Sequence, residues 1–215
     1  MTAESGGRVV AFHGVHRMSH PLIDEVRAYW QAKRAGRAAP TRAEIDPREI
    51  APALANTFLA DPVAPGVLRL RVAGQHLCDL MGMEVRGMPL AALFAMPARP
   101  RLAEAVRMVH DGRSGALLRL TARWSLGAPA LTGHALLLPL ADRQGTVAHL
   151  LGCLVVEGGI GRPPRRLEIE AIQPLPLAVA PVAVAASALA EAAAPFLHAP
   201  QTGSHPALRL ITEAE

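Results

Sequence analysis

The sequence is poor in cysteine, with only Cys78 and Cys153 among 215 residues. Neither has a second cysteine close by in the sequence, which excludes a disulfide framework and a zinc site built on CxxC pairs. This usage is typical of a reducing compartment, so we expect a cytoplasmic protein. Aromatic residues make up 3% of the chain, too few for a stacking platform that binds single-stranded nucleic acid.

Long apolar runs and catalytic motifs are also missing. No run of about 18 apolar residues is free of breakers, and the N-terminus has no hydrophobic signal core, so we expect neither a membrane span nor a secretory leader. No GxSxG, HExxH or GxGxxG pattern occurs, and no nucleophile and base can be paired. We therefore predict a protein that is not an enzyme.

The metal-binding and nucleic-acid signals are weak. His13, His16 and His20 have a ligand-like spacing, but they lie in a Gly-rich segment without a carboxylate, and we interpret them as loop histidines and predict no metal site. The net charge is +4 and the isoelectric point is near 10.0. Almost all cations are arginines, which fits a GC-rich genome or association with nucleic acid.

The first element that the sequence predicts is an amphipathic helix over residues 20–35. Residues 1–18 are polar and Gly-rich, and we expect them to be flexible. Ser19 is a good N-cap and Pro21 suits the first helical turn. Apolar side chains then recur at helical spacing, and they form a stripe that would cover a sheet or pair with a second copy: Leu22, Val26, Tyr29 and Trp30.

Strands and short helices follow. Thr41 and Glu44 have capping-box spacing, and Asp46 is a second cap. Strands are predicted over 57–60, 67–72, 117–124, 131–140 and 147–156, with helices over 75–81, 89–94 and 101–110. Leu68, Leu70 and Val72 alternate and are predicted to share one face.

The C-terminal part is rich in proline and alanine. We assign residues 161–215 to a tail that is dispensable for folding, although 166–172 are compatible with one more strand. Residues 208–211 are predicted to be a short β-like peptide that would suit docking on the domain or on a partner. A chain cut after Gly161 is expected to keep its melting temperature, unless the 166–172 segment completes the sheet.

The order of elements, together with local motifs, resembles a PAS domain. The motifs are Tyr29-Trp30, residues 40–47 (PTRAEIDP), residues 69–74 (RLRVAG) and residues 149–152 (HLLG). They are similar to small single-PAS proteins of alphaproteobacteria. The resemblance implies an α+β fold, with a five-stranded antiparallel sheet and helices on one face, over residues 19–160. It also implies a cytoplasmic regulatory module without catalysis.

The resemblance does not supply a cofactor. Flavin photosensors of the light-oxygen-voltage type carry an Asn-Cys-Arg-Phe-Leu-Gln helix, whereas Cys78 here stands in His-Leu-Cys-Asp. Haem sensors take a histidine from the long helix, where His110 is at the C-terminal end and favours the helix dipole instead. The sequence thus argues against flavin and haem and leaves the cofactor unknown.

The predicted sites follow from the fold. In a PAS domain the short helices wall a cavity, and flexible methionines suit an adaptable apolar pocket or ordinary core filling. His134 and His149 lie on adjacent predicted strands and could face each other across the sheet. The pocket candidates are Met81, Met88, Phe94, Val106 and Trp124.

The sequence is compatible with two functions. The first is a non-catalytic PAS regulatory module that acts through protein contacts and forms a homodimer, with a small apolar ligand as an option. The second is a basic protein associated with nucleic acid, motivated by the isoelectric point and by Arg162, Arg165 and Arg166.

Overall fold

The computed structural model describes residues 20–112 and 114–177. The expected flexible N-terminus, His13 and His16, and the tail beyond residue 177 lie outside these residues. The helices are α1 (Pro21–Arg34), α2 (Gln75–Met81) and α3 (Arg99–His110), with 3-10 segments at Arg42–Glu44, Pro47–Asn56, Leu90–Leu93 and Met96–Ala98. The strands are β1 (Thr57–Ala64), β2 (Val67–Ala73), β3 (Ser114–Ala122), β4 (Leu131–Ala141), β5 (Val147–Glu157) and β6 (Glu168–Pro176).

The predicted helix starts are confirmed, with one change of cap. Residues 20–35 were expected to be helical, and α1 occupies nearly that range. The N-cap is His20, whose Nδ1 accepts a hydrogen bond from the Leu22 amide at 3.2 Å, and not Ser19. The capping box also forms: Glu44 Oε2 accepts from the Thr41 amide and hydroxyl at 2.7 and 2.8 Å.

The six strands form one antiparallel sheet in the order β2-β1-β5-β4-β3-β6. The α+β, PAS-like fold is confirmed, but the sheet has six strands where five were expected. The additional strand, β6, pairs with β3 from Ser114↔Pro176 to Thr121↔Glu168. It comes from the segment that the sequence assigns to the tail, because the proline and alanine content masks a short strand that lies at the edge of the sheet.

Two apolar clusters cover the two faces of the sheet. On the inner face, α2, α3 and the short 3-10 segments pack against side chains from all six strands. On the outer face, α1 packs on β4 and β5 and against the Pro47–Asn56 segment, where it buries Ile23, Val26 and Trp30. The outer layer over β4 and β5 explains why both strands are apolar on both faces.

Within the described residues, no helix is long and apolar enough to cross a membrane.

Candidate binding surface

Three of the predicted pocket residues are part of the inner core. Met81, Phe94 and Val106 are buried in one cluster, and Met88 packs against it while partly exposed. Trp124 is not with them: β3 ends at Ala122 and the Trp124 side chain is 70% exposed. The strand was predicted to reach Trp124, but the chain leaves the sheet for the turn at residues 125–128.

The predicted interface stripe on α1 faces the protein's own sheet. Val26 and Trp30 are fully buried in the outer cluster, and Trp30 Nε1 donates a hydrogen bond to the Pro139 carbonyl at 2.8 Å. Leu22 and Tyr29 are half-buried. Val26 and Trp30 are therefore not on a surface that a second copy could contact, since the sheet already uses that side of the helix.

His134 and His149 do not face each other. His134 pairs with Val155, whereas His149 pairs with Leu140, six positions farther along β4. His149 instead lies beside β1, where its Nδ1 is 2.6 Å from Asp61 Oδ1. The two strands are adjacent as expected, but their register separates the histidines.

The outer face of β1 and β2 presents an apolar groove. Its volume is about 330 Å³, and α1 does not extend over it. Val72 and Leu54, which both line the groove, are 47% and 43% exposed, and exposed aliphatic side chains grouped at one site are typical of an interaction surface. Its main apolar side chains are Ile45, Ile50, Leu54, Leu59, Val72 and Leu151.

A basic groove of about 420 Å³ lies next to the apolar groove, and Val72 lines both. Its titratable side chains come from five separate elements: the 3-10 segment after α1, the strands β1, β2 and β5, and the loop after α2. The loop is held along β2 by hydrogen bonds between Leu70 and residues 87 and 88. The titratable side chains of the basic groove are Arg42, Asp61, Arg71, Arg86 and His149.

Among the described residues that line the basic groove, Asp61 is the one carboxylate. Its Oδ2 accepts a hydrogen bond from Arg71 Nε at 2.6 Å, and its Oδ1 faces His149 Nδ1. Burial by itself would raise the pKa of the Asp61 carboxyl, but the hydrogen bonds with His149 and Arg71 outweigh burial and lower it. Asp61 therefore stays ionised and holds both partners in place.

A β-bulge brings Arg71 and Val72 to the same face. Leu59 pairs with Val72 and Ala60 pairs with Leu70, so Arg71 is left over as an extra residue in β2. Leu68 and Leu70 are buried on the inner face, but Val72 is on the outer face. The predicted alternation of Leu68, Leu70 and Val72 on one face is thus wrong at Val72, because an inserted residue shifts the side-chain period.

Sequence reasoning missed these grooves. The sequence predicts that the strand ends at Asp61 and Pro62, whereas β1 continues to Ala64. The contacts among Asp61, Arg71 and His149 are non-local, and no spacing in the sequence reveals them. The RLRVA alternation was the available signal, because it places arginines on the exposed side of an edge strand.

The basic stretch that motivated nucleic-acid binding is partly used inside the protein. Arg165 is buried, and its guanidinium donates to the carbonyls of Ile160 and Pro129. Among residues 20–112 and 114–177, no group of three His, Cys, Asp or Glu side chains could hold a metal ion.

The comparison with protein families is decisive for the fold family. PAS domains match residues 18–155, which is more than half of the chain. The chain belongs to the PAS domain family. The match ends before β6, so the sixth strand of this PAS domain lies outside the matched residues.

Three of the solved structures that this chain matches are those of light-oxygen-voltage proteins. A domain of this type studied with a flavin analogue is 20% identical over 52% of this chain and 83% of its own, with a TM-score of 0.41. An RNA-binding light-oxygen-voltage receptor is 21% identical over 54% of this chain and 35% of its own, at 0.38. The light-state domain of the blue-light photoreceptor Aureochrome1 is 15% identical over 52% of this chain and 88% of its own, with a TM-score of 0.39. A search of curated proteins found no match for this chain.

Proposed function

We propose that this PAS domain is a non-catalytic regulatory module that acts through a protein contact on the outer face of β1 and β2. The observation that carries the proposal is the apolar groove, with its exposed Leu54 and Val72 side chains beside a set of ordered charges. Contiguous exposed aliphatic surface with a polar border is typical of a protein-binding site.

A small apolar ligand bound in the inner core would be a second way to regulate the domain. Met81, Phe94 and Val106 line the inner core, so a small apolar ligand would have to displace packed side chains to reach them. Methionine adapts to such repacking at low cost. A ligand there, a cytoplasmic location, an alphaproteobacterial origin and a homodimer all remain parts of the proposal.

Site-specific photocrosslinking tests the protein contact. A photoreactive amino acid replaces Val72 in the full chain expressed in its source cell, and Leu126, which is 89% exposed on a distant turn, is the matched control position. We expect one discrete crosslinked protein at position 72 and none at 126. Equal crosslinking at both positions, or none at 72, would contradict the proposal.

A further inference from the structure

We infer that the apolar groove and the basic groove together bind a peptide segment of a partner protein, and that this segment carries both acidic and aliphatic side chains. The inference rests on the proposed function and specifies the partner. The apolar groove and the basic groove share Val72 and form one continuous surface. A bound segment would place aliphatic side chains against Ile50 and Leu54 and carboxylates near the arginines.

The charges in the basic groove are not balanced within the described residues. Three arginines face one carboxylate, Asp61, and that carboxylate is already bonded to Arg71 and His149. Within residues 20–112 and 114–177, the guanidinium groups of Arg42 and Arg86 have no hydrogen bond or ion pair. Arginine guanidinium groups match carboxylates in shape and charge, so the groove favours a segment rich in Asp or Glu.

The supporting geometry is held in place before binding. Arg86 belongs to the loop that hydrogen-bonds to Leu70 on β2. Arg42 stands in the capped segment where Glu44 bonds to Thr41 and to Arg37, the latter at 2.6 Å. Because these backbones are fixed, a bound segment would order the arginine side chains but not the backbone that carries them, which limits the entropy lost on binding.

Other occupants fit the surface less well. A second copy paired symmetrically would bring the same three arginines toward each other, and like charges in one interface cost free energy. A nucleic acid would use the arginines but not the aliphatic groove, since its outer surface is a row of phosphates. The apolar groove and the basic groove together therefore favour a peptide over either of these.

Peptide display against the full chain tests the assignment. A random peptide library is selected on the immobilised protein, and enriched peptides are synthesised and measured by fluorescence anisotropy. We expect enrichment of Asp or Glu together with Leu, Ile, Val or Phe. We also expect the affinity to fall as salt is raised from about 0.05 to 0.5 M, because charge pairs at a surface are screened.

Matched variants locate the binding. Arg42→Glu combined with Arg86→Glu should weaken the enriched peptides about tenfold or more, as expected when two favourable charge contacts become repulsive. Arg162→Glu with Arg166→Glu makes the same change of net charge outside both grooves and should leave the affinity within about twofold. Leu54→Gln should weaken binding, whereas Leu126→Gln should not. Circular dichroism melting confirms that each variant folds.

The possible outcomes distinguish a failure of the peptide assignment from a failure of the proposed function. Enriched peptides without acidic residues, or equal weakening by the two charge-reversal pairs, would overturn the acidic assignment while leaving a protein contact at Val72 intact. An empty selection together with a salt-dependent shift of a duplex DNA probe that the Arg42 and Arg86 pair abolishes would assign the surface to nucleic acid. An empty selection with no DNA binding would overturn the peptide assignment, and crosslinking at Val72 would then decide the proposed function separately.

Discussion

At the scale of single residues, Gly152 shows how close packing in the inner core fixes one side chain. Gly152 pairs with Phe58 across β1 and β5, and a Cβ atom at Gly152 would lie 2.1 Å from Phe58 Cζ. We expect Gly152→Ala to destabilise the protein by about 1–3 kcal/mol, the usual cost of overpacking. Chemical denaturation measures it. Gly159→Ala, with no atom within 4 Å, is the control, and Phe58→Leu should reduce the penalty of Gly152→Ala.

Asp61 gives a prediction about pH. Its pKa is lowered in the folded protein, so its contribution to stability is present above the unfolded pKa of about 4 and is lost as pH falls through the folded pKa. The wild type should be more stable than Asp61→Asn at neutral pH. The difference should be at most about 1 kcal/mol, because the ion pair between Asp61 and Arg71 is partly exposed to solvent. The difference between the two proteins should shrink as the pH is lowered below about 4 in urea unfolding. Asp111→Asn removes an exposed carboxylate and should show no such convergence; the prediction fails if it does.

At the scale of elements, α1 is a structural layer of the sheet. Trp30 is fully buried and its indole bonds to Pro139, so Trp30→Glu would place a charge in an apolar site at a cost of several kcal/mol. We expect this variant to unfold or melt far lower. Trp30→Phe keeps most of the apolar volume and should melt modestly lower without a change in mass by light scattering. If either variant had half the mass of the wild type and the same stability, α1 would be a dimer interface after all.

The β6 strand changes the expectation for the C-terminal cut. It pairs with β3 along its length and buries Ile169 and Leu175, and each large apolar side chain contributes roughly 1.5–3 kcal/mol when buried. A chain ending after Gly161 should therefore melt at least about 10 °C lower or fail to fold, by calorimetry. A chain ending after Leu177 keeps β6 and is the matched control. Equal melting temperatures for the two cuts would show that β6 adds little.

Elements set by local chemistry were predictable from the sequence, and those set by distant contacts were not. Residues 75–81 were expected to be a helix between Gly74 and Gly82, and α2 has those bounds. The capping box at Thr41 also formed as expected. In contrast, the Arg71 bulge depends on how β1 and β2 pair, and the bond between Asp61 and His149 joins residues 88 positions apart. The candidate surface is built from contacts of this second kind.

Across the molecule, one sheet separates two apolar layers, and five of its six strands, all but β2, contribute side chains to both. Loss of either layer exposes the same strands, so the two layers should unfold together. Ile23→Ala removes packing from the outer layer and Leu80→Ala from the inner layer. Both side chains are at most 1% exposed, and each truncation should cost about 2–5 kcal/mol.

We expect each variant to unfold in a single transition with a lower midpoint than the wild type. Tryptophan fluorescence and far-ultraviolet circular dichroism should give the same midpoint. The change in fluorescence reports on the outer layer through Trp30, which α1 buries against the sheet, because Trp124 is already 70% exposed in the folded protein. Circular dichroism averages over all helices and strands. Leu126→Ala on the exposed turn is the control and should leave both midpoints unchanged. If Ile23→Ala moved the fluorescence midpoint but not the dichroism midpoint, α1 would unfold on its own, and the sheet would be stable with its outer face uncovered.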